Sequence, residues 1–184
     1  MLNYVKILLV IKMKILVLSD IHGDYESLEK VINNETFERL VVLGDLLPYS
    51  YDYESNLEGK ILQLLSKYKN KLVLIKGNCD YFINYDGYSL YAHDEISLTF
   101  NNHVVTFTHG HLYNKGFLPK YHGDIFITGH SHVPMLYKEN NVIYCNPGSI
   151  GKPRGGSSKG YLIFNDNKLI LKDINKNIIK ELNV

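Results

Sequence analysis

Between Lys14 and Asn78 the chain alternates short, wholly apolar runs with amphipathic ones. "KILVLSD" (14–20), "RLVVLGD" (39–45) and "KLVLIKGN" (71–78) are brief and almost entirely aliphatic before each ends in Asp or Asn. Runs of this length, bounded by glycine and polar residues, predict strands covered on both faces. The stretches between them follow the helical period instead. In "DYESLEKVIN" (24–33), Tyr25, Leu28, Val31 and Ile32 share one face, with Asp24 placed as the cap and Glu26 in the first turn. In "LEGKILQLLSKY" (57–68), Leu57, Ile61, Leu64, Leu65 and Tyr68 do the same. This alternation predicts parallel strands joined by right-handed crossovers.

After Cys79 the period changes to that of β-structure. "ISLTFNNHVVTFTHG" (96–110) places two strand-like runs around Asn101-Asn102, a hairpin signal. "MLYKENNVIYCNPG" (135–148) and "YLIFNDNKLILKDI" (161–174) predict two further hairpins. No linker or low-complexity break separates the halves. The expectation is one α/β domain over residues 13–184, whose second half builds a second sheet packed on the first. Residues 1–12, "MLNYVKILLVIK", precede a second methionine and read as an extension outside the fold, consistent with an upstream start.

Composition narrows the partners. With 184 residues and 45% hydrophobic content the chain can bury a sizeable core. The net charge is +1 and no basic stripe is present, which argues against a nucleic-acid partner. No apolar run approaches the ~20 residues of a membrane span. Cys79 and Cys145 lie far apart, outside any CxxC spacing, and read as thiols of a reducing cytoplasm.

The chemistry collects where the apolar runs stop. The first three end in Asp20-Ile21-His22, Gly44-Asp45 and Gly77-Asn78; "TFTHGH" delivers His109 and "FITGHSH" delivers His130 and His132. Ligands of open α/β sheets bind outside the carboxyl ends of the strands. In extended backbone, His130 and His132 would present their rings to the same side. Two aspartates, an asparagine carbonyl and four imidazoles are too many for one tetrahedral ion. They suit two ions sharing a carboxylate, about 3.5–4 Å apart, the spacing used for in-line displacement at phosphorus.

"SDIHGD", "LGD", "GNCD", "THGH" and "GHSH", in that order, resemble the calcineurin-like metallophosphoesterase superfamily, and within it the small bacterial and archaeal YfcE-type phosphodiesterases, which share "GNCD", "THGH" and "NPGS". The resemblance implies a four-layer α-β-β-α sandwich of two mixed sheets flanked by helices. It implies a first ion on Asp20, His22 and His132, a second on Asn78, His109 and His130, and Asp45 bridging them. A metal-bridging hydroxide would then attack phosphorus in a small phosphodiester. Manganese is the family's usual activator, and iron, zinc, nickel or cobalt suit the same donors. A homo-oligomer is compatible with the resemblance.

One departure stands at Cys79, where many members carry histidine as general acid; a thiol is a weak substitute. Around the core set, His111 and Arg154 are candidate substrate contacts, Arg154 beside Lys152 in the "KPRGG" loop. Asp80 is a candidate for orienting a ligating histidine. The tyrosines of "PYSYDYES" suit either a cleft or a loop. Two other functions compete: a non-catalytic, Vps29-like interaction scaffold, which the retention of every ligand position disfavours, and a phosphomonoesterase or nucleotide phosphatase of the same superfamily.

Overall fold

The computed structural model describes residues 13–48 and 56–184. The extension 1–12 and the tyrosine-rich loop therefore lie outside the described residues. The first half folds as its pattern predicts: β1 (Lys14–Leu18), α1 (Tyr25–Asn34), β2 (Arg39–Val42), α2 (Leu57–Ser66) and β3 (Leu72–Ile75). Asp24 caps α1 through its side chain, which accepts the amide of Ser27 at 3.0 Å. The three strands pair in parallel, β1 to β2 and β2 to β3. Beyond them come β4 (Ala92–His93), β5 (Glu95–Phe100), β6 (His103–Thr108), β7 (Ile125–Thr128), β8 (Met135–Glu139), β9 (Val142–Asn146), β10 (Gly160–Asn165), β11 (Lys168–Asp173) and β12 (Ile178–Asn183).

The three expected hairpins form. β5–β6 and β8–β9 turn through Asn101-Asn102 and Asn140-Asn141, all four at positive φ as a two-residue hairpin turn requires. Their sheet membership differs from the expectation that the second half builds a separate sheet. β10 pairs antiparallel with β1, so β10, β11 and β12 extend the first sheet. The result is a seven-stranded sheet, β12-β11-β10-β1-β2-β3-β4, and a five-stranded sheet, β5-β6-β7-β9-β8, both mixed.

The sheets pack face to face over one apolar layer that includes Val17, Val41, Phe107, Ile127, Cys145 and Phe164. A second layer lies between the larger sheet and the helices: Leu16, Leu18, Leu40 and Val42 meet Leu28, Val31, Ile61 and Leu65. The α/β class and the two mixed sheets are as expected, but the helices are not shared between the sheets. Among the described residues α1 and α2 both cover the seven-stranded sheet. The outer face of the other sheet buries Phe126 and Tyr144 beneath the 109–124 connection, whose Lys115 ammonium sits over the rings of Tyr137 and Tyr144 at 5.0 and 5.7 Å. Gly110, Gly116, Pro119 and Gly123 interrupt any helical run there.

Candidate metal centre

The carboxyl ends of β1, β2 and β3 from one sheet meet those of β6 and β7 from the other, and every ligand candidate follows one of these ends within four residues. Backbone bonds lock the loops together: Asp20 N–H to Gly44 O at 3.1 Å, His22 N–H to Asp45 O at 2.9 Å, Gly129 N–H to His109 O at 2.7 Å. Glycine precedes Asn78 and His130 for a steric reason. A Cβ on Gly77 would stand 2.2 Å from Asp45 Oδ1, and one on Gly129 would stand 1.9 Å from Ser19 Oγ.

Two donor groups result. Asp20, His22, Asp45 and His132 form one, and Asp45, His109 and His130 the other, with the donor atoms of each group all within 4.8 Å of one another. In the first, His22 Nε2 and His132 Nε2 are 3.2 Å apart, and His132 Nε2 lies 3.2 Å from Asp20 Oδ1. In the second, His109 Nε2 lies 3.2 Å from His130 Nδ1 and 3.1 Å from Asn78 Oδ1. Asp45 Oδ2 faces both, at 3.6 Å from His22 Nε2 and 3.5 Å from His109 Nε2.

The histidines of the motif at 130 and 132 do not work as a side-by-side pair. Both adopt left-handed backbone, φ 65° and 61°, rather than the extended form assumed from sequence. The turn sends His130 to the second group and His132 to the first. Asp20, His22 and Asp45 share this conformation, with φ of 51°, 46° and 52°. Non-glycine residues held there cost of order 1 kcal/mol or more each, and such outliers cluster at functional sites.

The surroundings prepare these donors for a cation. His22 Nδ1–H faces Leu47 O at 3.2 Å, and His109 Nδ1–H and His132 Nδ1–H face Leu43 O and Lys152 O, each at 2.5 Å. This arrangement leaves the Nε2 lone pairs aimed inward. Asp20 Oδ1 is buried with no hydrogen-bond partner, a costly state for a carboxylate unless a cation satisfies it. Burial opposes ionisation of Asp45, yet His109, the Cys79 amide and His22 together hold its carboxyl well below the usual range. His109 is correspondingly raised: burial works against its charge, but the carboxylates of Asp45 and Asp20 prevail. Burial lowers His22, His130 and His111.

The remaining candidates take different places. Cys79 donates its backbone amide to Asp45 Oδ1 at 2.8 Å, while its thiol lies 3.4 Å from Asp45 Oδ2. His111 stands outside both donor groups, its ring 5.3 Å from that of His109 and its Nδ1 buried without a partner. Arg154 is exposed, and its backbone amide donates to His132 O at 3.2 Å. Asp80 orients no histidine. Its buried carboxylate accepts the amides of Asp45 at 2.8 Å, Leu46 at 2.9 Å and Gly77 at 2.8 Å; burial, reinforced by the charge of Asp45, still pushes it up to about 6.

Three supports had no role assigned from sequence, although two of them belong to the "NPGS" motif. Ser19 donates to Asp20 Oδ2 at 2.5 Å, and Ser149 donates to Asp20 O at 2.7 Å. Asn146 donates to Gly129 O at 2.7 Å and Ser131 Oγ at 3.0 Å. The "NPGS" stretch (146–149), shared with the resembling family, thus clamps two ligand loops. Its proximity in sequence to an apolar strand end was the available signal.

The family model of the calcineurin-like phosphoesterase superfamily domain matches residues 13–168. Phosphodiesterase YfcE of Escherichia coli (strain K12) is 28% identical over 177 residues, covering 89% of this chain and 93% of the relative. Among solved structures, YfcE from E. coli superposes with a TM-score of 0.83 at 24% identity over 94% of this chain and all of that one. Vacuolar Protein Sorting 29 from Cryptosporidium parvum superposes with a TM-score of 0.66 at 14% identity, covering 94% of this chain and 99% of that one. Both structural likenesses concern the fold.

Proposed function

This chain belongs to the calcineurin-like phosphoesterase superfamily, and from that membership we propose that it is a dinuclear metal-dependent phosphodiesterase acting on small or generic phosphodiesters. Asp20, His22 and His132 would hold one ion and Asn78, His109 and His130 the other, with Asp45 the donor common to both. The observation that carries this reading is the position of Asp45 Oδ2, between His22 Nε2 of one donor group and His109 Nε2 of the other. Ions held there would supply acidified water and charge neutralisation for displacement at phosphorus. Nitrogen and oxygen donors without thiolate suit manganese, with iron, zinc, nickel or cobalt as substitutes.

The protein's own groups do the rest. The buried carbonyls of Leu43 and Leu47 fix the imidazole tautomers, and Cys79 N–H holds the orientation of the bridging carboxylate. Arg154, tied through its backbone to His132, would pair its guanidinium with a non-bridging phosphate oxygen. His111, beside the second donor group, offers an imidazole to the ester. Cys79 occupies the general-acid position as a weak donor, which favours esters with good leaving groups. The name of the E. coli relative, a phosphodiesterase, agrees with this choice over a monoesterase.

The test is a metal-titrated assay comparing p-nitrophenyl mono- and diesters. Diester turnover dependent on added Mn²⁺ is the expected result. Preference for the monoester would instead make the chain a phosphatase, and silence with every metal would favour an interaction scaffold.

A further inference from the structure

Within four residues of the ligands stand four of the ten large hydrophobic side chains exposed among the described residues. Tyr81 and Phe82, 61% and 80% exposed, come three and four residues after Asn78. Leu112, 45% exposed, follows His109 by three residues, and Val133, 40% exposed, adjoins His132. This placement is built rather than accidental. Asp80 is fully buried and bonded to Asp45 and Gly77, and the chain then turns, with Ile83 N–H bonded to Asp80 O at 3.2 Å. Tyr81 and Phe82 are thrust outward from a turn whose other end is fixed to the metal centre, no more than about 14 Å along the chain from Asn78. Lys76, two residues ahead of Asn78, lies over the Tyr81 ring at 5.1 Å, and next to it a shallow pocket of about 230 Å³ is walled by Tyr85, Leu90 and Tyr91.

We propose that this aromatic rim is a subsite for the ester group retained on phosphorus, so that the enzyme selects diesters whose retained group is a nucleoside or an aryl alcohol over those whose retained group is alkyl. The proposal rests on the phosphodiesterase reading and specifies its substrate class. An aromatic face beside a phosphate-binding centre suits a base because every base offers a π-face, and stacking on Tyr or Phe tolerates any base identity. Lys76 adds a cation to this rim, over the Tyr81 ring, without forming the basic groove a polynucleotide needs, which points to a small nucleotide ester.

The experiment holds the leaving group constant. With Mn²⁺ bound, kcat/KM is compared for thymidine 5′-(p-nitrophenyl phosphate) and ethyl p-nitrophenyl phosphate, which both release p-nitrophenolate. The nucleoside ester is expected to be favoured about tenfold or more, through KM, on the scale of one stacking contact. The Tyr81→Ala/Phe82→Ala double variant should bring the ratio close to one, while Ile178→Ala, exposed on β12, should leave it intact. A wild-type ratio near one, or a ratio that survives the double variant, overturns the proposal. So does loss of a dimer in the double variant with the ratio unchanged, which assigns the face to a second copy of the chain. A calorimetric titration of the Mn²⁺-loaded protein with thymidine 5′-phosphate against ethyl phosphate reads the subsite even without turnover. Tighter nucleotide binding there supports it when the diesterase reading fails, and equal binding overturns it.

Discussion

The carboxylate of Asp80 accepts the backbone amide of Asp45 at 2.8 Å, so the residue proposed to bridge two ions is held from behind by a second buried acid. The same carboxylate grips Leu46 and Gly77, joining the loops after β2 and β3 into one unit. Asp80→Asn keeps the size but turns an NH₂ toward amides that need an acceptor. We expect Mn²⁺ affinity to fall about 10- to 100-fold, the usual cost of losing a group that orients metal ligands. Isothermal titration of the metal-free protein measures it, and unchanged affinity would show that the loops hold themselves.

Asp45→Ala removes the one donor common to both groups. The expected outcome is a drop in bound metal from two ions per chain, measured by elemental analysis, with a kcat reduced by at least about 10²-fold. A mutant that retains two ions and its rate would refute the bridging role.

How far this centre could be read in advance depends on the kind of information involved. The strand ends were legible because β1, β2, β3, β6 and β7 are buried apolar runs that stop at Gly, Asp, Asn or His. The donors could therefore be named before their geometry was known. The placement of His130 and His132 was not legible: alternation holds for extended backbone, and the positive φ at both residues is imposed by contacts with the β1 loop, such as His130 N–H to Asp20 Oδ2 at 3.0 Å. The docking of β10 against β1, roughly 150 residues apart, is likewise a choice between two apolar faces that no local pattern makes. β4 has two residues, and β12 is an exposed edge strand with little alternation. Neither leaves a periodic signal.

Cys79 separates its backbone from its side chain. Its amide bonds Asp45 Oδ1, and any residue at 79 except proline can supply that bond. Cys79→Ala should therefore change diester kcat by less than about 10-fold, well short of the 10²-fold or more lost with a working general acid. Cys79→His should raise activity on monoesters, most of all on alkyl monoesters, whose poor leaving groups gain most from a proton donor. Parallel assays of both variants on the two ester classes decide the matter.

Glu35, at the end of α1 and away from the metal centre, gives the fold an acid-labile anchor. Its nearly buried carboxylate meets Lys14 at 2.7 Å, Tyr161 at 2.7 Å and Lys172 at 3.0 Å. Burial alone would raise its pKa, but these three donors bring it down to about 2, from an ordinary 4.5. A depressed carboxylate contributes stability that is complete above pH 4.5 and lost as the pH falls toward 2, here up to about 3 kcal/mol. The difference in urea-unfolding free energy between wild type and Glu35→Gln should shrink across that window, and a constant difference would place the acid sensitivity elsewhere.

The strained ligand loops predict that metal stabilises the fold as well as serving as a cofactor. Asp20, His22, Asp45, His130 and His132 sit in left-handed backbone, and Asp20 Oδ1 is buried without a partner. Each feature penalises the metal-free native state, and cation binding offsets the second directly. Mn²⁺ at about 100 times its Kd should add roughly 2.7 kcal/mol per occupied site by mass action, a rise in Tm of about 5–10 °C for each site in a domain of this size. Asp20→Asn is informative because it removes the buried charge together with one donor. In EDTA the variant should melt at or above the wild-type Tm, while in Mn²⁺ it should gain little. Differential scanning calorimetry under both conditions reads the crossover, and a variant less stable than wild type in EDTA would show that His132, 3.2 Å from Asp20 Oδ1, already neutralises that carboxylate.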